Sequence, residues 1–209
     1  MRYLTIALTK GRLARKTLEL LEKTGITCEE MKDPDSRKLI FTDEEHKLKF
    51  FLAKGPDVPT YVEYGARHRD RSETRSWRSR GRSMRAGPGL WQMRMCVCGP
   101  KENEELLKHQ EFIRVATKYP NIARDFFYNK KHQTVEIIKL NGSIELAPIV
   151  GLTEVIVDIV ETGSTLRENG LQVLEEVCPL SARVVVNPVS MRMENERITQ
   201  LLKEIKAVL

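Results

Sequence analysis

The chain lacks any apolar run approaching the roughly 18 residues that a membrane-spanning helix needs. It also lacks an apolar leader with a small-residue cleavage site, because residues 4–8 pass straight into a strand pattern. A soluble, cytoplasmic protein without a membrane partner is expected. Cysteine is scarce: Cys28, Cys96, Cys98 and Cys178 form neither paired C-x-x-C knuckles nor the density of a secreted disulfide scaffold. They read as reduced and mostly buried, with Cys96 and Cys98 as same-face neighbours on a strand. His46, His68, His109 and His132 show no ligand spacing, so no metal site is directly assignable.

Aliphatic periodicity is missing from one stretch, residues 67–92. That stretch holds eight of the 35 basic residues, all arginine, against two of the 29 acidic ones. The net charge of +6 therefore belongs to this segment, and the remaining chain is balanced. A basic linker of this kind invites a nucleic-acid reading, which has no other support in the chain. A second reading is out-of-frame translation. With plausible codons, His68-Arg69-Asp70-Arg71 becomes Ile-Gly-Ile-Val one base later, and Gly89 to Met93 becomes Gly-Phe-Gly-Lys-Cys in the same way. Residues 73–79, read two bases later, become Asp-Thr-Ile-Leu-Glu-Glu. The in-frame text is expected to be strand, loop and helix like its surroundings.

Outside that stretch, strands alternate with helices. Residues 4–8 form a strand, and a helical pattern with Leu13, Leu20 and Leu21 closes at Gly25. Residues 37–42 and 48–53 flank a turn and read as a hairpin. Residues 94–100, 113–117, 135–140 and 154–160 are strands, with helices or turns between them. Residues 171–177 and 182–186 read as two further strands, the second fit for a sheet interior. Asn187-Pro188 caps a last helix whose Ile198, Leu201, Leu202, Ile205 and Val208 share one face. The class is α/β with parallel sheets, in which ligands gather at the carboxyl ends of strands.

Two loops sit at such ends. In the first, Thr162-Gly163-Ser164-Thr165 follows an apolar strand and opens a helix, with Asp158 and Glu161 beside it. Small hydroxyl residues there make either an ordinary helix cap or a phosphate cradle. In the second, Lys10-Gly11-Arg12 precedes the first helix, where the charges are solvated or meet a polyphosphate. No nucleophile–base triad is evident.

Several motifs resemble the ATP phosphoribosyltransferase family in order and spacing. They are Thr9-Lys10-Gly11-Arg12-Leu13, Asp57-Val58-Pro59-Thr60-Tyr61-Val62-Glu63, Arg114-Val115-Ala116-Thr117-Lys118-Tyr119-Pro120-Asn121, Asn141-Gly142-Ser143-Ile144-Glu145-Leu146-Ala147-Pro148, residues 158–166, and Asn187-Pro188. The resemblance implies transfer of phosphoribosyl from phosphoribosyl pyrophosphate (PRPP) to N1 of ATP with Mg2+, the first step of histidine biosynthesis. It implies a two-lobed fold like type II periplasmic binding proteins, with the site in the cleft between lobes. The lobes would comprise residues 1–92 plus 183–209, and residues 93–182. The chain resembles the short form, which works with a regulatory subunit related to histidyl-tRNA synthetase; a homodimer is the expected building block. Asp158, Glu161, Thr162, Gly163, Ser164 and Thr165 are expected to bind PRPP. Lys10, Gly11, Arg12 and Lys54 are expected to meet ATP or pyrophosphate. Lys10, Arg12 and Glu161 are the expected catalytic residues, and Glu145 is a further candidate. The competing reading is a bilobal binding module without catalysis, which shares the fold but has no need of an acidic pair beside a phosphate cradle.

Residues 67–92 depart from the family, which carries an Asp-Ile-Gly-Val-Val-Gly type strand and loop there. A chain truly reading as written is expected to be inactive or misfolded. Sequencing the encoding DNA tests the frame account: insertions or deletions flanking this stretch are expected, and an uninterrupted arginine-coding frame would overturn it.

Overall fold

A computed structural model describes residues 2–33, 36–65, 85–109 and 112–209, with backbone only for 85–90. The chain separates into two compact units, Met1–Leu90 with Arg183–Leu209, and Trp91–Ala182. Residues 67–84 of the arginine-rich stretch lie outside the described residues, so neither reading of them is addressed. Residues 85–92 form the beginning of a strand.

In the first unit, β1 (Leu4–Thr9) pairs in parallel with β3 (Leu48–Ala53), and β2 (Ile40–Asp43) pairs with β3 antiparallel, giving the order β1-β3-β2. The hairpin turn between β2 and β3 is closed by the buried Asp43. Burial alone would push its carboxyl up, but the His46 N–H at 3.0 Å and imidazole at 2.8 Å hold it below its ordinary value. Helix α1 (Arg12–Glu22) buries Ala14, Leu20 and Leu21, a spacing that puts them on one face. A 3-10 turn at Gly55–Asp57 leads into α2 (Val58–Glu63).

The second unit holds β4 (Arg85–Gly99) from Trp91 onward, α3 (Glu104–Lys108), β5 (Ile113–Thr117), α4 (Pro120–Arg124), β6 (Val135–Lys139), α5 (Leu146–Ile149), β7 (Val155–Val160), α6 (Ser164–Glu168) and β8 (Gln172–Val186) as far as Ala182. Its sheet runs β6-β5-β7-β4-β8, with β5 parallel to both β6 and β7 and β4 antiparallel to β7. Alternation along the strands divides the core. Met95, Val97, Val115, Val155 and Val157 pack on one face with Phe126 and Phe127. Cys96, Cys98, Ala116, Ile156 and Val160 pack on the other. The two cysteines are indeed same-face neighbours, and all four cysteines are unpaired thiols, three of them buried.

Two sequence expectations need correction. Residues 171–177 and 182–186 are not separate strands but parts of the single β8, which continues through Pro179. β8 is the last strand in its sheet, where a missing N–H costs no ladder bond, and Pro179 is exposed. For the same reason Val184, Val185 and Val186 are half-buried rather than interior. The last helix is also two: α7 (Pro188–Met193) and α8 (Asn195–Ala207). Asn187 caps α7, its Oδ1 accepting from the Val189 and Ser190 N–H groups, while its amide donates to the Val62 and Glu63 carbonyls at the end of α2. Helix α8 buries Ile198 and Ile205, and Arg197 donates to the carbonyls of Arg2, His46 and Lys47, fastening the helix across the start of β1 and the hairpin turn.

In the second unit, Arg114 and Glu154 tie the amino ends of β5 and β7 together. The guanidinium donates to Glu154 at 2.6 Å and the Arg114 backbone N–H does so at 2.6 Å. The Arg114 side chain holds the Glu154 carboxyl below its ordinary value against a burial contribution. A depressed carboxyl contributes stability above its unfolded value that is lost as pH falls through the folded one. Glu154→Gln is therefore expected to cost about 1.5 kcal/mol at pH 7, roughly 3–6 °C in melting temperature. The difference between the two proteins should shrink as pH is lowered below the ordinary glutamate value of about 4.3.

Candidate functional site

In the first unit, Thr9 and Ala53 end neighbouring parallel strands in register, so the loops that follow leave side by side. The Lys10 N–H donates to the Ala53 carbonyl at 2.9 Å. Lys10, Arg12 and Lys54 are thus drawn to one carboxyl edge, and all three are exposed. Gly11 between them has φ 103, a conformation that side chains rarely adopt, and it starts α1. Three cationic groups at one sheet edge can receive a polyphosphate.

In the second unit, the parallel strands β6 and β5 end level with each other and β7 runs three residues further, so that the last residues of β7 and the loops after all three strands bring the remaining predicted residues to one edge. Gly163 is left-handed, with φ 71 and ψ 10, and it turns the chain from β7 into α6. A Cβ there would stand 3.4 Å from Arg167 Nη1. The Thr162 hydroxyl lies 3.1 Å from that of Ser164 and accepts the Ser164 N–H at 3.4 Å. A phosphate cradle at a helix start would ordinarily draw on the free N–H groups of the first turn. Instead one of these is already directed to Thr162, and α6 is little more than one turn, so its dipole adds little. The hydroxyls and a guanidinium carry the anion-binding potential. Arg167 supplies that guanidinium, its Nη1 donating to the Thr162 carbonyl at 3.1 Å. Thr165 is exposed, and its carbonyl accepts from Asn169 at 2.8 Å.

Asp158 is half-buried on β7, on the strand face of Ile156 and Val160. Burial pushes its carboxyl above the ordinary value; the Ile159 N–H opposes this, the Glu145 carboxylate adds to it and Lys118 opposes it. Burial, and then Asp158, raise the neighbouring Tyr119 phenol. Glu161 is half-buried in the turn after β7. Lys118, Tyr119 and Arg167 were not singled out from the sequence. Lys118 and Tyr119 stand inside a recognised motif, directly after a parallel strand. Arg167 was signalled only by its place three residues beyond Ser164, one helical turn away.

Among the described residues, no group of three or more His, Cys, Asp or Glu side chains gathers to hold a metal ion. Two carboxylates, Asp158 and Glu145, lie close enough for the second to act on the charge of the first.

A carboxyl raised by burial means the folded state holds its proton more tightly than the unfolded chain, so stability falls as pH rises past the unfolded value. Asp158→Asn is therefore expected to melt a few degrees higher than the parent at pH 7. The gain should vanish below about pH 4; an unchanged or lower melting temperature at pH 7 would contradict the electrostatic account.

The sequence profile described as "HisG: ATP phosphoribosyltransferase" matches residues 84–207. An ATP phosphoribosyltransferase of Lachnoclostridium phytofermentans is 69% identical, covering 100% of this chain and 98% of the relative. One from Lachnospira eligens is 65% identical over 99% of this chain and 96% of the relative. Among solved structures, the ATP phosphoribosyl transferase (HisG:HisZ) complex from Thermotoga maritima has 32% identity and a TM-score of 0.68, covering 98% of both chains. An amino-acid ABC transporter extracellular-binding protein of Bacillus subtilis is similar in fold alone, at 8% identity and a TM-score of 0.57 over 99% of this chain and 96% of that one.

Proposed function

This chain belongs to the ATP phosphoribosyltransferase family, and we propose how its residues carry that family's reaction. The reaction is a pentosyl transfer in which N1 of ATP displaces pyrophosphate from PRPP, the first step of histidine biosynthesis. The observation that supports the assignment of residues is the Thr162-Gly163-Ser164 turn, where hydroxyls and the Arg167 guanidinium meet at a strand end. A bilobal binding module is not favoured, because likeness to the binding protein rests on 8% identity.

Displacement at the anomeric carbon passes through an oxocarbenium-like state while pyrophosphate leaves. The protein must hold the 5′-phosphate, orient the ribose and neutralise the leaving group. Thr162, Gly163, Ser164 and Thr165 receive the 5′-phosphate. Asp158 and Glu161 take the ribose hydroxyls, as ionised carboxylates accept hydrogen bonds. Lys10 and Arg12, with Gly11 and Lys54, meet the pyrophosphate or the phosphates of ATP. Mg2+, when bound with the substrate phosphates, would supply charge neutralisation there.

The Thermotoga relative is solved as a complex of two kinds of chain. A hetero-oligomer with a regulatory subunit follows for this family member; we assign that partner as related to histidyl-tRNA synthetase, with a homodimer as the catalytic building block. Among the described residues no helix is long and apolar enough to cross a membrane. A cytoplasmic location fits a biosynthetic enzyme of this kind.

Pyrophosphate release from PRPP and ATP with Mg2+, with and without the partner, tests the reading. The chain carrying frame-restored residues 67–92 is expected to turn over, and the chain as written is expected to fail. Arg12→Ala in the active form should lower kcat/KM about a hundredfold. Nucleotide binding without turnover in every form would contradict the proposal.

A further inference from the structure

A fully buried hydroxyl stands where the loops of the second unit leave the sheet. Thr117, the last residue of β5, is 0% exposed. Its Oγ1 donates to the Val157 carbonyl at 2.7 Å and accepts the Tyr119 N–H at 2.9 Å. Its own carbonyl accepts the Leu140 N–H at 3.1 Å, just where β6 ends. One residue therefore ties together the end of β5, the chain leaving β6 and the middle of β7, one residue before Asp158. A hydroxyl serves as donor and acceptor at once. A valine of the same shape would leave a buried N–H and a carbonyl without this partner.

The two groups it joins are significant. Val157 immediately precedes Asp158, and Tyr119 follows Lys118. Lys118 and Tyr119 are both close enough to Asp158 to interact with its charge. A rotation of the turn after β5 would change what surrounds that carboxylate without moving β7 itself.

We propose that Thr117 is a positioning residue for the phosphoribosyl site: its hydroxyl locks the turn bearing Lys118 and Tyr119 to the strand segment bearing Asp158. The substrate then meets one fixed arrangement of the two loops rather than several. This rests on the assignment of residues 158–165 to PRPP.

The test is steady-state pyrophosphate release by the active full-length enzyme, with its regulatory partner, comparing Thr117→Val, Thr117→Ser and Asp158→Asn. Thr117→Val is expected to raise the KM for PRPP about tenfold, with the KM for ATP within about twofold of the parent. Thr117→Ser, which keeps donor and acceptor, should restore the PRPP value. If Thr117→Val does not fold, Thr117→Cys replaces it, and a PRPP-selective KM rise is again expected. Equal rises in both KM values, or a fall in the amount of active enzyme with both unchanged, would make Thr117 merely structural and overturn the proposal. A normal PRPP KM in the valine or cysteine variant beside a raised one in Asp158→Asn would also overturn it. If Asp158→Asn leaves the PRPP KM untouched, the site assignment itself fails and the proposal falls with it.

Discussion

Parallel pairing of β5 with both β6 and β7 makes β5 and β6 end at one level, Thr117 opposite Lys139, and sets that level beside Val157, three residues before β7 ends at Val160. β5 and β6 stop there while β7 stays paired with β4 as far as Val160, and the chain turns after each of the three strands within a small region. The polar residues that follow each strand have no choice but to share that edge. Lys118 and Tyr119, Glu145, and Asp158 with the Thr162-Gly163-Ser164 turn are neighbours because of strand register, although more than 40 positions separate the first from the last. The first unit repeats the device with two strands, where Thr9 beside Ala53 brings Lys10 and Lys54 together.

Holding such an edge has a cost that falls on Asp158. Its strand face is shared with Ile156, Val160 and the buried cysteines opposite, so a carboxylate is kept where an apolar group would pack more comfortably. A charge partly removed from water and set near another carboxylate is the arrangement expected where binding, rather than stability, has shaped a residue. The Arg114–Glu154 pair at the other end of the same strands shows the contrasting case. There the charges are matched, and the pairing serves to align β5 with β7.

Much of this was legible in the sequence because periodicity and turn chemistry agree. The strand before Thr162, the glycine at the turn and the following apolar Leu166 mark a strand–loop–helix junction without reference to the fold. The collinear motifs then supply the chemistry. What was not legible depends on context beyond the local pattern. Pro179 reads as a strand break, and only the edge position of β8 makes it harmless. Arg167 reads as a solvated helix charge, and its reach back to the Thr162 carbonyl is a matter of side-chain conformation. Thr117 reads as one more β-branched strand residue, since neither its burial nor its two partners can be seen until β7 lies beside it. The arginine-rich stretch speaks differently: it disagrees with its surroundings in composition, periodicity and family pattern at once.

The central claim is that the carboxyl edge of the second unit's parallel strands holds the phosphoribosyl group. Backbone hydrogen exchange, measured by mass spectrometry with and without PRPP and Mg2+, addresses it without requiring turnover. Slower exchange is predicted in peptides covering residues 117–119 and 158–169 when PRPP is present. Unchanged exchange in both regions, under conditions where PRPP binding is independently detected, would contradict the account.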